Sequence, residues 1–353
     1  MKKLWQPGQI GPMKTKNRAV RSATNEHLAS LDGVLSDAWS DVYRELAEGG
    51  VGTIITGHFA VDGTQRADEG QPAIYSDMAG LEQSCAVLRR TCSVVHRYGA
   101  RLIVQISHSG PKAAEGVNGV PAKRPADLTK GDMERLVKHF CFAAKTCQEC
   151  GADGVQIHMA HAYLLSSFLR DKWNKREDEY GGSLENRYRL CGEIIRAVRQ
   201  SCGPGFAIMA KVDEDGCGDL HALLALCEKD GVDCVEVSGL DCAAFPGKRT
   251  AFYLDSVVKA KQGIGMPVSL VGGIFSLEEA ERVLESGVEF VSFARSLIHD
   301  PRFIGKLEGG EVTESPCLAC GGCYKVYRQR PVRCVLHERP IPHLEQIFGP
   351  YEK

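Results

Sequence analysis

The chain has 353 residues, of which 43% are hydrophobic and 25% charged, and its formal net charge is −2. This balance argues against a general affinity for nucleic acid or for anionic membrane surfaces. No apolar run approaches the roughly 18 residues that a membrane span needs, and the amino terminus lacks the apolar core of a secretory signal, so a cytoplasmic location is expected by default.

Eight short apolar segments rich in β-forming residues recur along the chain. In chain order they begin at Ala19, Val51, Arg101, Gly154, Phe206, Cys234, Pro267 and Glu289. Several are continuous hydrophobic runs rather than alternating ones, which is typical of parallel strands covered on both faces. The segments are therefore predicted to be strands of one parallel sheet.

Helix signals lie between these strands. Residues 128–151 form a long amphipathic stretch that ends in glycine, and Ser276 with Glu279 predicts a capping box for a helix that stops at Gly287. Eight strand–helix units most simply close into a (β/α)8 TIM barrel. An open doubly wound sheet is the alternative, but the glycine fingerprint expected after its first strand is absent.

Enzymes built on such a barrel carry their chemistry at the carboxyl ends of the strands. In this sequence those positions are rich in polar groups, which core packing alone does not require. They are residues 22–25, Gly57, His58, Gln105, His108, residues 158–163, Lys211, Gly272, Gly273, Ala294 and Arg295. This concentration predicts a ligand site at one end of the barrel.

The last two strand ends are typical of a phosphate site. Gly272 and Gly273 let the backbone approach an anion, and Arg295, next to Ala294, offers a planar fork that is always charged. Two ordinary turns beside a surface arginine are the alternative interpretation.

Lys211 lies inside the otherwise apolar segment AIMAKVD. A lysine within a buried strand is costly unless it is paired, and a ligand carrying negative charge would be a suitable partner. A flavin, whose reduced form carries negative charge around N1 and O2, is such a ligand. The alternative is a lysine that extends its amine to water at the strand end.

The fourth strand is followed by two imidazoles and a phenol, at His158, His161 and Tyr163. Two N–H donors aimed at one carbonyl oxygen would stabilise an enolate, and a nearby tyrosine would deliver the proton. A metal site is the alternative, but no third ligand is evident in the sequence.

The segment that follows, NKREDEYGGSLENR at 174–187, together with His158, His161 and Tyr163, closely resembles the hallmark of old yellow enzyme-type flavin oxidoreductases. The resemblance covers residues 1–310, which are expected to form the FMN-binding barrel. It implies FMN held without a covalent bond and NAD(P)H as the reductant. It also implies that His158 and His161 bind the substrate carbonyl and that Tyr163 is the active-site acid.

The same resemblance assigns the residues around FMN. It places the segment 21–24, with Ser22, Ala23 and Thr24 as contacts, along the flavin. It places Gln105 on the pyrimidine ring, Lys211 near N1, and the phosphate on the glycine and arginine loops. Gly57 and His158 are included among the expected cofactor contacts. Asn25 and His58 depart from the residues usual at their positions in this family, so the redox potential and the substrate range are expected to differ.

Fifteen cysteines form two groups. Eleven are scattered without pattern and are expected to be reduced, mostly buried thiols. The other four, Cys317, Cys320, Cys323 and Cys334, have ligand-like spacing in a carboxyl-terminal extension at 311–353. Multidomain members of the family similar to 2,4-dienoyl-CoA reductase carry a [4Fe–4S] cluster at this point, but structural zinc and four free thiols are the alternatives. The nucleotide-binding domains of those members do not follow in this sequence.

These observations bear on three possible functions. The resemblance favours an NAD(P)H-driven reductase of activated C=C bonds in small α,β-unsaturated carbonyl compounds, with hydride transfer from flavin N5 and protonation by Tyr163. The alternative is an FMN/iron–sulfur electron-transfer subunit that works with a partner flavoprotein, and a homo-oligomer is compatible with either. A flavin-free aldolase that uses Lys211 as a Schiff base is disfavoured because it leaves Gln105 and Tyr163 without roles.

Overall fold

The structure is a computed structural model that describes residues 2–215, 217–240, 245–325 and 331–337. Its strands are, in chain order, β1 (Gly8–Ile10), β2 (Met13–Thr15), β3 (Ala19–Arg21), β4 (Thr53–Ile55), β5 (Phe59–Ala60), β6 (Arg101–Ser107), β7 (Gly154–Met159), β8 (Ala207–Asp213), β9 (Cys234–Ser238), β10 (Val268–Val271) and β11 (Phe290–Phe293).

The α-helices alternate with these strands. They are α1 (Asp37–Glu48), α2 (Leu81–Arg97), α3 (Glu115–Asn118), α4 (Lys130–Glu149), α5 (Leu164–Leu169), α6 (Leu184–Cys202), α7 (Leu220–Lys229), α8 (Leu254–Ala260), α9 (Leu277–Glu285), α10 (Arg295–His299), α11 (Phe303–Glu308) and α12 (Gly322–Lys325). Within the described ranges, no helix is both long enough and apolar enough to cross a membrane.

Eight parallel strands close on themselves, in the order β3, β4, β6, β7, β8, β9, β10 and β11, with β11 pairing back to β3. Each lies within one of the eight apolar segments found in the sequence, so the predicted (β/α)8 barrel is confirmed. The short strand β5 adds to β6 beyond the end of β4. An antiparallel hairpin of β1 and β2 precedes the barrel.

Local sequence explains where the helices begin and end. At the start of α4, Thr129 accepts a hydrogen bond from the Asp132 N–H while the Asp132 carboxylate accepts one from the Thr129 N–H, a complete capping box. Gly151, with φ of 90°, allows the chain to turn back into β7.

The capping box predicted for α9 is only half correct. The Ser276 hydroxyl does accept from the Glu279 N–H at 3.1 Å. The Glu279 carboxylate, however, accepts from the Ala251 N–H and pairs with Arg282 rather than returning to Ser276. Tertiary contacts therefore compete successfully for this side chain.

The barrel interior is apolar at the amino ends of the strands. The hairpin contributes Ile10 and Met13 to this cluster, which otherwise consists of inward-facing strand residues: Val20, Ile55, Ile103, Ala207, Met209, Cys234 and Phe290. A second and larger apolar core lies between the barrel and the surrounding helices. Alternate residues of each strand point into the barrel, and the residues between them point toward the helices. The inward-facing residues that follow this cluster along each strand therefore lie at the carboxyl end of the barrel.

Candidate functional site

The carboxyl ends of the strands bring most of the predicted site residues together. His158 lies near the end of β7 and contacts both His161 and Tyr163, which follow the strand: its ring centroid is 5.2 Å from that of His161 and 4.7 Å from that of Tyr163. The predicted catalytic group is therefore one cluster in space as well as in sequence.

An unusual backbone turn holds this cluster. His161 and Ala162 have φ values of 60° and 62°, in the left-handed region that non-glycine residues rarely adopt. The Asp213 carboxylate at the end of β8 accepts from the His161 N–H at 2.8 Å, and the Ser238 hydroxyl lies 3.0 Å from His161 Nε2. Strained residues of this kind concentrate at functional sites, where the surroundings over-determine them.

His58, one of the two departures from the family pattern, joins the same cluster from the end of β4. Its ring centroid lies 4.9 Å from that of Tyr163 and 5.8 Å from that of His158. Its Nε2 atom is 3.4 Å from the Tyr163 hydroxyl oxygen. The site therefore contains three imidazoles around one phenol.

These imidazoles are neutral at physiological pH. Burial, followed by repulsion from one another and from Lys211 and Lys112, holds the pKa values of His158 and His161 well below the ordinary histidine range. Burial likewise lowers the pKa of His58 to about 4. A neutral imidazole carries one N–H donor and one acceptor, so each ring can present a donor to an oxygen atom.

His158 Nδ1 has no hydrogen-bond partner among the described residues, although the side chain is buried. A buried polar atom without a partner is costly, and such atoms in native structures commonly face a ligand or water. We take this atom as an indication that a polar ligand atom belongs above β7.

Lys211 points into the barrel and is ion-paired. Its ammonium group lies 2.9 Å from the Glu236 carboxylate on β9 and donates to the Ser22 hydroxyl at 2.9 Å. Burial alone would raise the pKa of Glu236, but the positive charge of Lys211 and further hydrogen bonds outweigh burial and lower it. Because a Schiff-base lysine must be neutral, this ion pair argues against the aldolase alternative.

Sequence reasoning missed Glu236 and its neighbour Gln156. Gln156 Nε2 donates to Glu236 at 3.3 Å and Gln156 Oε1 accepts from Gln105 at 2.6 Å, so a polar chain crosses the barrel from Gln105 to Ser22. A charged residue in the middle of CVEVSG is the same signal that singled out Lys211, and it would have identified Glu236 as the partner.

The predicted phosphate-binding residues line one open cavity; they are Gly272, Gly273, Ala294 and Arg295. Gly273 has φ of 79°, and a Cβ atom there would lie 1.6 Å from the Thr250 carbonyl oxygen, so only glycine fits. The Arg295 guanidinium is buried and donates to the Ala319 carbonyl at 3.1 Å.

The segment that follows β3, residues 22–25, is held by packing and by hydrogen bonds to neighbouring loops. Thr24 is buried, Ala23 packs on the barrel cluster, and the Asn25 amide donates to Asp68 at 3.1 Å. Asp68 also lies 2.7 Å from His27 Nδ1. Gly57 approaches closely, since a Cβ atom there would lie 2.6 Å from the Thr24 carbonyl oxygen.

The four carboxyl-terminal cysteines lie near one another without forming a ligand set. Cys317 lies close to Cys334 and Cys320, and Cys323 lies close to Cys317 and Cys320. Burial raises the pKa of Cys317, and it raises that of Cys323 to about 12, so these thiols are protonated. In the part of the chain that the structure describes, no three His, Cys, Asp or Glu side chains are arranged to hold a metal ion.

Of the eleven scattered cysteines, eight are buried, and Cys141 and Cys217 are partly buried. The buried ones are Cys85, Cys92, Cys147, Cys150, Cys191, Cys202, Cys227 and Cys234. Cys242 lies outside the described residues.

Comparisons with known proteins agree with this architecture. The family described as NADH:flavin oxidoreductase / NADH oxidase matches residues 3–314. The chain is 32% identical over 321 residues to an NADPH dehydrogenase of Bacillus licheniformis, a match that covers 85% of this chain and 92% of that protein.

Two larger proteins match nearly the whole chain. An NADH oxidase of Thermoanaerobacter brockii is 29% identical over 383 residues, covering 98% of this chain and 57% of that protein. A 2-naphthoyl-CoA reductase structure in complex with 2-naphthoyl-CoA superposes with a TM-score of 0.86 at 21% identity, covering 99% of this chain and 58% of that one. The chain thus spans little more than half the length of these two relatives.

Proposed function

The chain belongs to the NADH:flavin oxidoreductase / NADH oxidase family, and from this premise we propose that it is an FMN-dependent reductase of activated C=C bonds. Its substrates would be small α,β-unsaturated carbonyl compounds, and NAD(P)H would supply the electrons. The observation that carries the proposal is the cluster of His158, His161 and Tyr163 at the end of β7.

The residues present fit FMN. The cavity at Gly272 and Gly273 has the close backbone approach and the arginine that a phosphate requires. The buried atoms His158 Nδ1 and Glu236 Oε1 have no hydrogen-bond partner among the described residues, and this supports a polar ligand at the strand ends. We propose that FMN is held by Ser22, Ala23, Thr24, Asn25, Gly57, His58, Gln105, His158, Lys211, Gly272, Gly273, Ala294 and Arg295.

When bound, FMN would accept electrons from NAD(P)H and supply hydride for the β carbon of the substrate. The protein's own part is to bind and polarise the carbonyl group. Neutral His158 and His161 each present one N–H donor. His158 is buried and His161 is partly buried, so their hydrogen bonds to a carbonyl oxygen are partly shielded from water. These donors would stabilise the negative charge that develops on that oxygen.

Tyr163 would complete the reaction by giving its phenolic proton to the α carbon. Its ring contacts His158, so the proton donor lies beside the group that holds the carbonyl. The Lys112 ammonium lies 5.5 Å from the centre of the Tyr163 ring, where its charge would stabilise the phenolate left behind.

The Tyr163→Phe variant tests this assignment. We expect reduction of bound FMN by NAD(P)H to be unchanged and oxidation of the reduced enzyme by 2-cyclohexenone to be slowed by about 10²–10⁴-fold, the contribution typical of a positioned acid. Anaerobic stopped-flow measurement of the two half-reactions separates these steps. Oxidation by the enone at the wild-type rate would show that Tyr163 is not the acid.

As a second candidate we propose an FMN/iron–sulfur electron-transfer subunit that works with a partner flavoprotein. The observation in its favour is that Cys334 lines one cavity together with Thr24, a residue proposed to contact FMN. Because the thiols as they stand do not form a ligand set, we derive no step through a cluster.

Metal analysis of protein purified without oxygen decides this candidate. About four irons per chain that are lost in Cys320→Ser would support it. One zinc per chain, or no metal, would leave the four cysteines as a structural site or as free thiols and would remove the basis for this candidate.

A further inference from the structure

The orientation of one buried glutamine determines which nitrogen of His58 carries the hydrogen. The Gln71 carbonyl oxygen accepts from the Ala67 N–H at 2.6 Å and from the Ser109 hydroxyl at 3.5 Å. Its amide nitrogen faces the His58 carbonyl oxygen at 3.2 Å. Exchanging the two amide atoms would set a donor against the Ala67 N–H and an acceptor against a carbonyl, so the amide has one orientation.

The same amide nitrogen lies 2.8 Å from His58 Nδ1. The hydroxyl oxygen of Ser107, on β6, also lies 2.8 Å from His58 Nδ1. An amide nitrogen can only donate, so Nδ1 must accept and is unprotonated. A neutral imidazole then carries its single hydrogen on Nε2. Burial, which lowers the pKa of His58 to about 4, keeps the ring neutral despite the nearby carboxylate of Asp68.

Nε2 of His58 faces the Tyr163 hydroxyl oxygen at 3.4 Å. We propose that His58 is a positioning residue that donates a hydrogen bond from Nε2 to the Tyr163 oxygen, so that the phenol hydrogen is directed away from His58. Hydrogen bonds in free active sites are commonly long and shorten when the reacting complex forms.

This inference rests on the proposed function in one respect, namely the role of Tyr163. When the Tyr163 O–H bond breaks and a C–H bond forms at the α carbon, the phenol becomes a phenolate, which is later reprotonated from solvent. A hydrogen bond donated by His58 stabilises that phenolate, because it strengthens as negative charge develops on the acceptor.

The groups that face this pair come from several elements. Lys112, His158 and His58 surround the Tyr163 ring, while Asp68, His27, Gln71 and Ser107 lie around His58. Within this set Gln71 is the side chain that both fixes the His58 tautomer and is fully buried. Its variant Gln71→Leu should therefore release the tautomer without touching Tyr163.

Nitrogen-15 NMR of histidine-labelled protein tests the hydrogen position directly and requires neither substrate nor turnover. At about pH 7 we expect a neutral His58 with its hydrogen on Nε2, assigned by loss of its signals in His58→Gln, and a mixed tautomer in Gln71→Leu. A hydrogen on Nδ1, or a doubly protonated ring, would overturn the proposal.

A kinetic test measures how much the hydrogen bond from His58 contributes to proton transfer from Tyr163. His58→Phe, which keeps the ring but removes the donor, should slow oxidation of the reduced enzyme by 2-cyclohexenone about tenfold, the effect of one lost hydrogen bond. His58→Gln, whose amide can still donate, should recover part of that rate, and His221→Phe on α7 should match wild type. An unchanged rate in His58→Phe would contradict the positioning role.

The proposed function and the role of His58 can be overturned independently of each other. A wild-type enzyme that 2-cyclohexenone does not oxidise would overturn the proposed function, and the NMR result would still decide whether His58 donates to Tyr163.

Discussion

The barrel interior changes its chemistry along its axis. At the amino ends of the strands, the hairpin residues Ile10 and Met13 close an apolar cluster around Phe290. At the carboxyl ends, the equivalent inward positions carry an ion pair of Lys211 with Glu236 and, above it, the histidine cluster. The same strands therefore build stability at one end and hold polar groups at a cost at the other, where the ligand is expected to bind.

The largest expected effect comes from breaking the ion pair at the polar end. Lys211→Met leaves the fully buried Glu236 carboxylate without its counter-charge, so the free energy of unfolding should fall by about 3–5 kcal/mol. Urea denaturation measures this change.

The double variant Lys211→Met/Glu236→Leu is the matched control. Replacing both charges with apolar side chains should recover most of the lost stability, because the loss arises from the unpaired charge rather than from the pair. A single variant that unfolds within about 1 kcal/mol of wild type would show that water reaches this pair.

At the apolar end, a truncation should affect stability but not chemistry. Ile10→Ala removes a fully buried side chain and should cost about 2–5 kcal/mol in unfolding free energy, while the rate of enone reduction per folded molecule stays unchanged. The exposed neighbour variant Gln9→Ala should stay within about 0.5 kcal/mol. A loss of reduction rate in folded Ile10→Ala protein would mean that the two ends are coupled.

A smaller effect is expected at the polar end, where titration of His158 should make the free energy of unfolding depend on pH. His158 is neutral in the folded protein but is protonated below about pH 6.5 when unfolded, so the unfolded chain binds more protons as the pH falls. Its contribution to stability is thus complete above that pH and is lost as the pH falls, at about 1.4 kcal/mol per pH unit.

The comparison of wild type with His158→Asn isolates this term. As the pH falls from about 7 to about 5, the unfolding free energy should decrease by about 2 kcal/mol less in the variant, and the difference in slope should approach about 1.4 kcal/mol per pH unit near pH 5. Equal slopes would indicate that His158 is protonated in the folded protein, which would contradict its role as a neutral donor.

The sequence alone was sufficient for the barrel, because strands that are covered on both faces appear as continuous apolar runs with little ambiguity. It was also sufficient to predict that His158, His161 and Tyr163 lie together, because all three fall within six residues at the end of one strand. A charged residue inside an apolar strand predicts a buried partner, and Lys211 was identified in this way. Glu236 is also a charged residue inside an apolar strand, but the sequence analysis did not identify it.

Contacts between distant loops were not predictable in this way. His58 meets Tyr163 only because β4 and β7 both end at the same mouth, and its tautomer depends on Gln71, a loop residue whose role no local pattern announces. The Glu279 side chain was misassigned for the same reason, because its actual partner Ala251 lies 28 positions away. Local patterns specify elements, whereas side-chain partners depend on closure of the barrel.

The most direct test of the proposed function is an anaerobic spectral titration of the protein reconstituted with FMN. We expect flavin absorbance that stays with the protein, is lost when NADH or NADPH is added, and returns when 2-cyclohexenone is added. Protein that binds no FMN would contradict the assignment of the strand-end residues to this cofactor. Bound flavin that NAD(P)H reduces but the enone cannot reoxidise would contradict the reduction of activated C=C bonds.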